Sequence, residues 1–188
     1  MGTDVKHNIY EGLAKKYGMS VAQAKANTQN MVQMAKEAGL DYQMDTLVLT
    51  NTFDAHRLTM FAKSKGFMKE ITERILHVYF TESKHIGDHD TLTELAVEVG
   101  LDRGEVQQML ASDLMADEVR ADQQLAKQYG VTAVPFFLIN KKYALTGAQP
   151  TETFIRALEK VISEEQIVVL NNDDGMVCDD DGCEIPKK

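Results

Sequence analysis

The chain has 188 residues, 44% hydrophobic and 26% charged, a balance that fits a globular protein of one domain, or of one domain plus an insertion. Its net charge of -9 argues against non-specific binding to nucleic acid or anionic lipid. No run of about 18 apolar residues marks a membrane span, no apolar stretch follows the N-terminus as in a secretory signal, and two cysteines are too few for a secreted disulfide scaffold, so the cytoplasm is the expected location.

Asp4 to Tyr17 reads as a helix, with Val5, Ile9, Leu13 and Tyr17 on one stripe, and Gly18 ends it. Ser20 and Gln23 form a capping-box pattern, in which each side chain satisfies the other's free backbone N–H. The helix they open runs to Ala38, with Gly39 beyond it, and Leu40 to Val48 is a connection. Asn51 is placed to cap the next helix, and Asp54 sits in its first turn, at the favourable end of the dipole. Phe53, Leu58, Phe61 and Ala62 face inward until Gly66. Phe67 to Thr81 forms another helix that buries Ile71, Ile75, Leu76 and Tyr79. Asp90 caps a helix over Thr91 to Val99, and Asp102 opens a short one to Ala111. Asp113 caps the helix that stops at Gly130, a natural residue to end on. Met31, Met34, Met44, Met60, Met68, Met109 and Met115 read as core filler rather than as a cofactor or peptide groove.

The pattern then changes. Phe136 to Ile139 is a short apolar strand, Lys141-Lys142 a tight turn, and Tyr143 to Thr146 the antiparallel return. Gly147 breaks the strand, and Thr151 to Val161 is a last amphipathic helix. Pro135 cannot donate to a sheet ladder, so it belongs at the start of its strand or at an edge. Phe136 to Ile139 is apolar on both faces, as in a strand covered on both sides. A lone hairpin is marginal, and an open edge invites another chain. A homo-oligomer, a dimer or larger, formed over that edge is therefore expected. Gln166-Ile-Val-Val-Leu170 is a second strand-like run that suits part of the same gap. The predicted organisation is an all-helical domain over 1–112, a partial α/β domain over 113–165 and an acidic tail over 166–188.

Three places hold candidate chemistry. Val134-Pro135 reads by itself as an ordinary strand start. Asn51, Thr52, His56 and Arg57 read by themselves as a capped helix start with a solvated face. Cys178 and Cys183 are the only thiols. Asp181-Gly182 favours a turn that lets them meet. Asp173, Asp174, Asp179, Asp180, Asp181 and Glu184 crowd them, and negative charge disfavours a thiolate, so neither is suited to fast attack. No metal is expected: two thiolates are half a structural zinc site, and the acidic run does not fit a calcium loop.

The order helix, Val-Pro, hairpin, Gly, helix resembles the C-terminal half of a thioredoxin fold. With "GV-x-x-VPFF" from Gly130, "Y-x-L-x-GAQ" from Tyr143, "NT-x-DAHRL" from Asn51 and "DG-x-x-C-x4-C" from Asp174, the chain is similar to the FrnE-like, DsbA-related dithiol–disulfide oxidoreductases, from about Ile9 to Cys183. The resemblance implies an α/β, mostly helical fold, in which an all-helical insertion precedes the second half of the thioredoxin fold. It implies a cis Pro135 that faces the redox cysteines, with Val134 and Pro135 holding a protein or peptide thiol substrate. Asn51, Thr52, His56 and Arg57 would line the cleft, and Cys178 with Cys183 would form an accessory redox pair. The family opens with a strand and a Cys-x-x-Cys helix, and this sequence has no such unit. Either it is a piece of a longer protein, or it is a natural variant without the main redox centre. Two other readings share the architecture. Kappa-type transferases and hydroxychromene-carboxylate isomerases bind glutathione as a co-substrate at the same proline, and a non-catalytic relative would be a peptide-binding module. No bound cofactor is otherwise implied.

Overall fold

A computed structural model describes residues 8–165 and the short hairpin at 178–179 and 182–183. The chain divides into two compact units, Met1–Gln128 and Tyr129–Lys188.

The first unit is helical. Helix α1 (Ile9–Tyr17) is capped by Asn8, whose side chain accepts the Glu11 N–H, and it ends at Gly18 in the left-handed region (φ 66°). The predicted stretch before Asn8 lies outside the described residues. Helix α2 (Val21–Glu37) starts in the expected capping box, with both Ser20–Gln23 bonds formed. Helices α3 (Phe53–Lys65), α4 (Met68–Phe80), α5 (His89–Glu98) and α6 (Arg103–Leu110) follow, then α7 (Ala116–Gln128), which packs on α3. Fifteen buried residues on α3 to α6 and their connections form one core around Leu58, Ile71, Val78, Leu92, Leu95, Val106 and Met109.

Several local expectations shift. On α4 the buried stripe is Ile71, Ile75 and Val78, spaced four and three apart, while Leu76 points outward. The cap of α5 is Asp88, not Asp90: its carboxylate accepts both the backbone N–H and the hydroxyl of Thr91 at 2.8 Å. Asp90 instead sits in the first turn. Helix α7 begins three residues after Asp113, whose carbonyl accepts the Ala116 N–H. The methionines divide: Met109 and Met44 are buried, whereas Met31, Met34 and Met68 are exposed and fill no core.

Helices α1 and α2 form a hairpin with its own small core of Tyr10, Ala14 and Ala24. The connection Leu40 to Asn51 ties it to the other helices. Tyr10 donates its hydroxyl to Asp45 at 2.7 Å, and Tyr42 stacks on Phe80 with ring centres 4.7 Å apart. Gln43 donates its N–H to the Phe80 carbonyl. Burial, then the carboxylate of Asp45, push the Tyr10 phenol up to about 12.

The second unit is a hairpin and a helix. Strand β1 (Phe136–Ile139) pairs antiparallel with β2 (Tyr143–Thr146), with Phe136 opposite Thr146 and Ile139 opposite Tyr143. The turn falls on Asn140 and Lys141, with φ of 50° and 56°, one residue earlier than expected. Asn is among the few side chains that adopt this conformation readily. Helix α8 (Thr151–Glu165) lies against the hairpin through the edge-to-face pair Phe137–Phe154. Glu164 on α8 accepts from Lys142, Lys160 and the Tyr143 hydroxyl. A two-residue ladder, β3 (Cys178–Asp179) with β4 (Gly182–Cys183), follows. The run Gln166 to Leu170 lies outside the described residues.

Candidate functional site

Asn51, Thr52, His56 and Arg57 all lie at the start of α3, where the Thr52 carbonyl accepts the His56 N–H at 3.1 Å. The cap is divided between two residues. Thr52 holds the N-cap position without a side-chain bond, and Asn51 Oδ1 accepts the Phe53 N–H at 2.9 Å. Asn51 and His56 face solvent, and Thr52 is partly covered.

Arg57 does not lie on a solvated face. It is 5% exposed, and its guanidinium ties together the end of α6 and the turn before α7. Nε donates to the Leu114 carbonyl at 3.0 Å, and Nη2 to the carbonyls of Met109 at 2.8 Å and of Ser112. Nη1 donates to Asp54 Oδ1 at 2.8 Å. The other Asp54 oxygen is 2.8 Å from His89 Nε2 on α5. Burial alone would raise the Asp54 carboxyl, but the His89 and Arg57 hydrogen bonds and charges outweigh it and hold the group below the usual carboxylate range. The arrangement is a hydrogen-bonded chain, His89–Asp54–Arg57, in which Arg57 has almost no donor capacity left for a ligand. Arg57 therefore shapes this site by positioning α3, and the groups left accessible are Asn51, Thr52 and His56.

Sequence reasoning missed the wall beside them. Thr50 Oγ1 lies 2.7 Å from His85 Nε2. Gly87 lets the loop before α5 press on this segment, since a Cβ there would fall 2.1 Å from Thr50 Oγ1 and 3.1 Å from the Asn51 carbonyl. The signal was present as Lys84-His-Ile-Gly-Asp-His89, where two histidines flank a glycine before a cap. The pairing itself spans 35 residues, beyond any local pattern. Among the described residues no three His, Cys, Asp or Glu side chains gather closely enough to hold a metal ion.

Val134 and Pro135 belong to the second unit. The bond between them is cis, and Val134 is 85% exposed at the head of β1. The Pro135 carbonyl accepts the Gly147 N–H at 2.9 Å, which extends the hairpin on the β2 side. In the two-stranded sheet β1–β2, the other side of β1 pairs with no strand among the described residues. Cys178 and Cys183 stand as register partners in the β3–β4 ladder, and their side chains lie outside the described residues.

A helical unit followed by a cis-Pro hairpin and a helix defines a thioredoxin-like protein with a helical insertion. The family model for the DSBA-like thioredoxin domain matches residues 5–159, and the chain belongs to that family. The crystal structure of a probable DsbA oxidoreductase from Streptomyces coelicolor is 37% identical, with a TM-score of 0.77 over 96% of this chain and 77% of that one. A stretch of 107 residues is 36% identical to the uncharacterized protein YwbO of Bacillus subtilis, over 56% of this chain. The match spans 51% of YwbO, about half the length of that relative.

Proposed function

We propose that this chain takes part in thiol–disulfide exchange with protein or peptide substrates, as a FrnE-like member of the DsbA family in which the thiol chemistry of the sequence given falls to Cys178 and Cys183. The observation that carries the reading is the open side of β1, with the exposed Val134 backbone at its head, in a chain of this family. A substrate strand is held there by main-chain pairing. Asn51, Thr52 and His56 would serve as cleft residues on the helical unit. The register of β3 and β4 sets the two cysteines opposite each other, which suits a disulfide across the ladder.

In the exchange, one substrate thiolate attacks a sulfur of the Cys178–Cys183 disulfide, breaking that bond and forming a mixed disulfide. The second substrate thiolate then attacks the substrate sulfur of the mixed bond. The substrate loses two electrons and gains a disulfide, while the protein pair gains two electrons and leaves as two thiols. The acidic residues around the pair disfavour thiolate, which suits slow, stoichiometric relay rather than rapid turnover. The cytoplasm and assembly across the β1 edge complete the reading.

The test is stoichiometry. The oxidised chain is mixed with a reduced dithiol peptide, and free thiols are counted. One peptide disulfide per chain, lost in Cys178→Ser and Cys183→Ser, is expected, with negligible insulin reductase activity. Unchanged exchange in the double serine variant, or insulin turnover comparable to that of a Cys-x-x-Cys protein, overturns the assignment. Binding of peptide that persists in the double serine variant without any exchange would make the unit a peptide-binding module instead. Glutathione uptake in calorimetry that blocks the peptide would favour the transferase-like reading.

A further inference from the structure

A second site lies away from the start of α3, in the cleft where the α1–α2 hairpin meets the end of α4. The groove there has a volume of about 500 Å³, within the usual range for small-molecule sites. Leu13, Met19, Met31, Met44, Tyr79 and Phe80 form much of its wall, and no residue of the lining carries a charge. The three methionines are unbranched and polarizable, so the wall adapts to the shape of what it holds.

The polar groups of this wall are few. Thr28 spends its hydroxyl on the Ala24 carbonyl at 2.8 Å. The Asn27 amide has only a long contact, 3.7 Å, with the Met19 sulfur. Tyr79 is half-buried, and its hydroxyl donates to no partner among the described residues. Burial raises its phenol above the ordinary value, so it stays protonated and able to donate.

These features select the occupant. An anion finds no cation in the lining, and a cation finds no carboxylate. An extended polypeptide brings one donor and one acceptor per residue, but the helices that form most of the lining have used their own backbone groups, and no lining residue belongs to a strand. A molecule with an apolar body and one acceptor matches the Tyr79 hydroxyl, and the Asn27 amide is exposed to solvent.

We propose that this groove binds one small, uncharged, mainly apolar molecule that carries a hydrogen-bond acceptor, with the Tyr79 hydroxyl as its donor. The site is independent of the thiol chemistry proposed above.

Nile red, an uncharged flat dye with one carbonyl, tests the idea on the full chain. Saturable binding of one dye per chain, with a blue shift in emission, is expected. Met31→Glu places a charge in the wall from an exposed position, and it should weaken binding at least about tenfold. Met34→Glu, on the same helix but outside the lining, should leave it unchanged. Tyr79→Phe should weaken binding about two- to tenfold, the worth of one hydrogen bond, with the helical circular dichroism intact. Equal responses to Met31→Glu and Met34→Glu, or no saturation, would overturn the proposal. So would displacement of the dye by reduced, carboxymethylated lactalbumin, which would make the groove a polypeptide site, or a dimer in light scattering that the dye dissociates, which would make it an interface between copies. None of these readings depends on Cys178 or Cys183.

Discussion

The two units of the chain treat apolar surface in opposite ways. The helical unit turns its apolar stripes inward and closes fifteen buried residues into one core. In Tyr129–Lys188 only Val161 is buried among the described residues, while Val134, Ile155, Leu158 and Ile162 face outward. The contrast follows from the number of faces available. Helices α3 to α6, with α7 laid on α3, cover one another's stripes. A two-stranded hairpin and one helix have two faces each and only one contact to share. The helical unit therefore fixes its own geometry, and with it the start of α3. The second unit carries a strand edge and an apolar helix face that suit a partner strand or chain, which is the physical basis for the proposed substrate contact and self-association.

The comparison is broken most severely at Arg57. Arg57→Ala removes a buried guanidinium and leaves the carbonyls of Met109, Ser112 and Leu114 and the Asp54 carboxylate without their donor. A loss of about 3–5 kcal/mol is expected in denaturant unfolding. Arg57→Lys should recover only part of it, because an ammonium cannot reach four acceptors in the plane of the guanidinium. If Arg57 served only a ligand, both variants would unfold like the parent. Substitutions on the outward face of α8 should cost far less.

Acid separates the units more gently. Hydrogen bonds from Arg74, then Lys84, hold the Glu82 carboxyl down at about 2, and Asp54 and Asp88 are also lowered. A depressed folded-state pKa stabilises the fold above the unfolded value, about 4 for carboxylates, and that stability is lost as pH falls through the folded value. The helical unit should therefore hold its melting temperature down to about pH 4.5 and lose it progressively toward pH 2. Glu164 in the second unit is lowered to about 2 as well, by Lys142, Tyr143 and Lys160, but it lies on a solvent-facing part of α8. High salt should erase its shift while sparing more of that of Asp54, a difference that carboxyl chemical shifts read directly.

Much of this was legible locally. The Ser20–Gln23 capping box, the stop at Gly66 and the helix–hairpin–helix order follow from residues within a few positions of one another, and the motifs around Gly130 and Asn51 pointed to the DsbA family. The failures share a cause. Asp88 and Asp90 are equivalent as text, and only the Thr91 contacts choose between them. Arg57 looked like a surface cation because its carbonyl partners lie 52 to 57 residues away. The methionines looked like filler because composition does not show that Met31 lines a cleft while Met109 lies in the core.

The smallest change in stability should come from the face of α8. Ile155, Leu158 and Ile162 recur at three and four residues, so they share one stripe, and all three are exposed. The adjoining stripe holds Phe154 on Phe137 and the buried Val161. Ile155→Lys with Leu158→Gln removes apolar area already in water, so unfolding should shift by no more than about 0.5 kcal/mol. The readout that should move is mass. If chains associate through this unit, the parent scatters as a dimer or larger species at micromolar concentration and the variant as a monomer. A larger species of unchanged mass in the variant would leave association to the β1 edge, and a monomeric mass for both would count against association through this unit. A large loss of stability in the variant would mean that the stripe is covered within the chain, and the contrast between the two units would then fail.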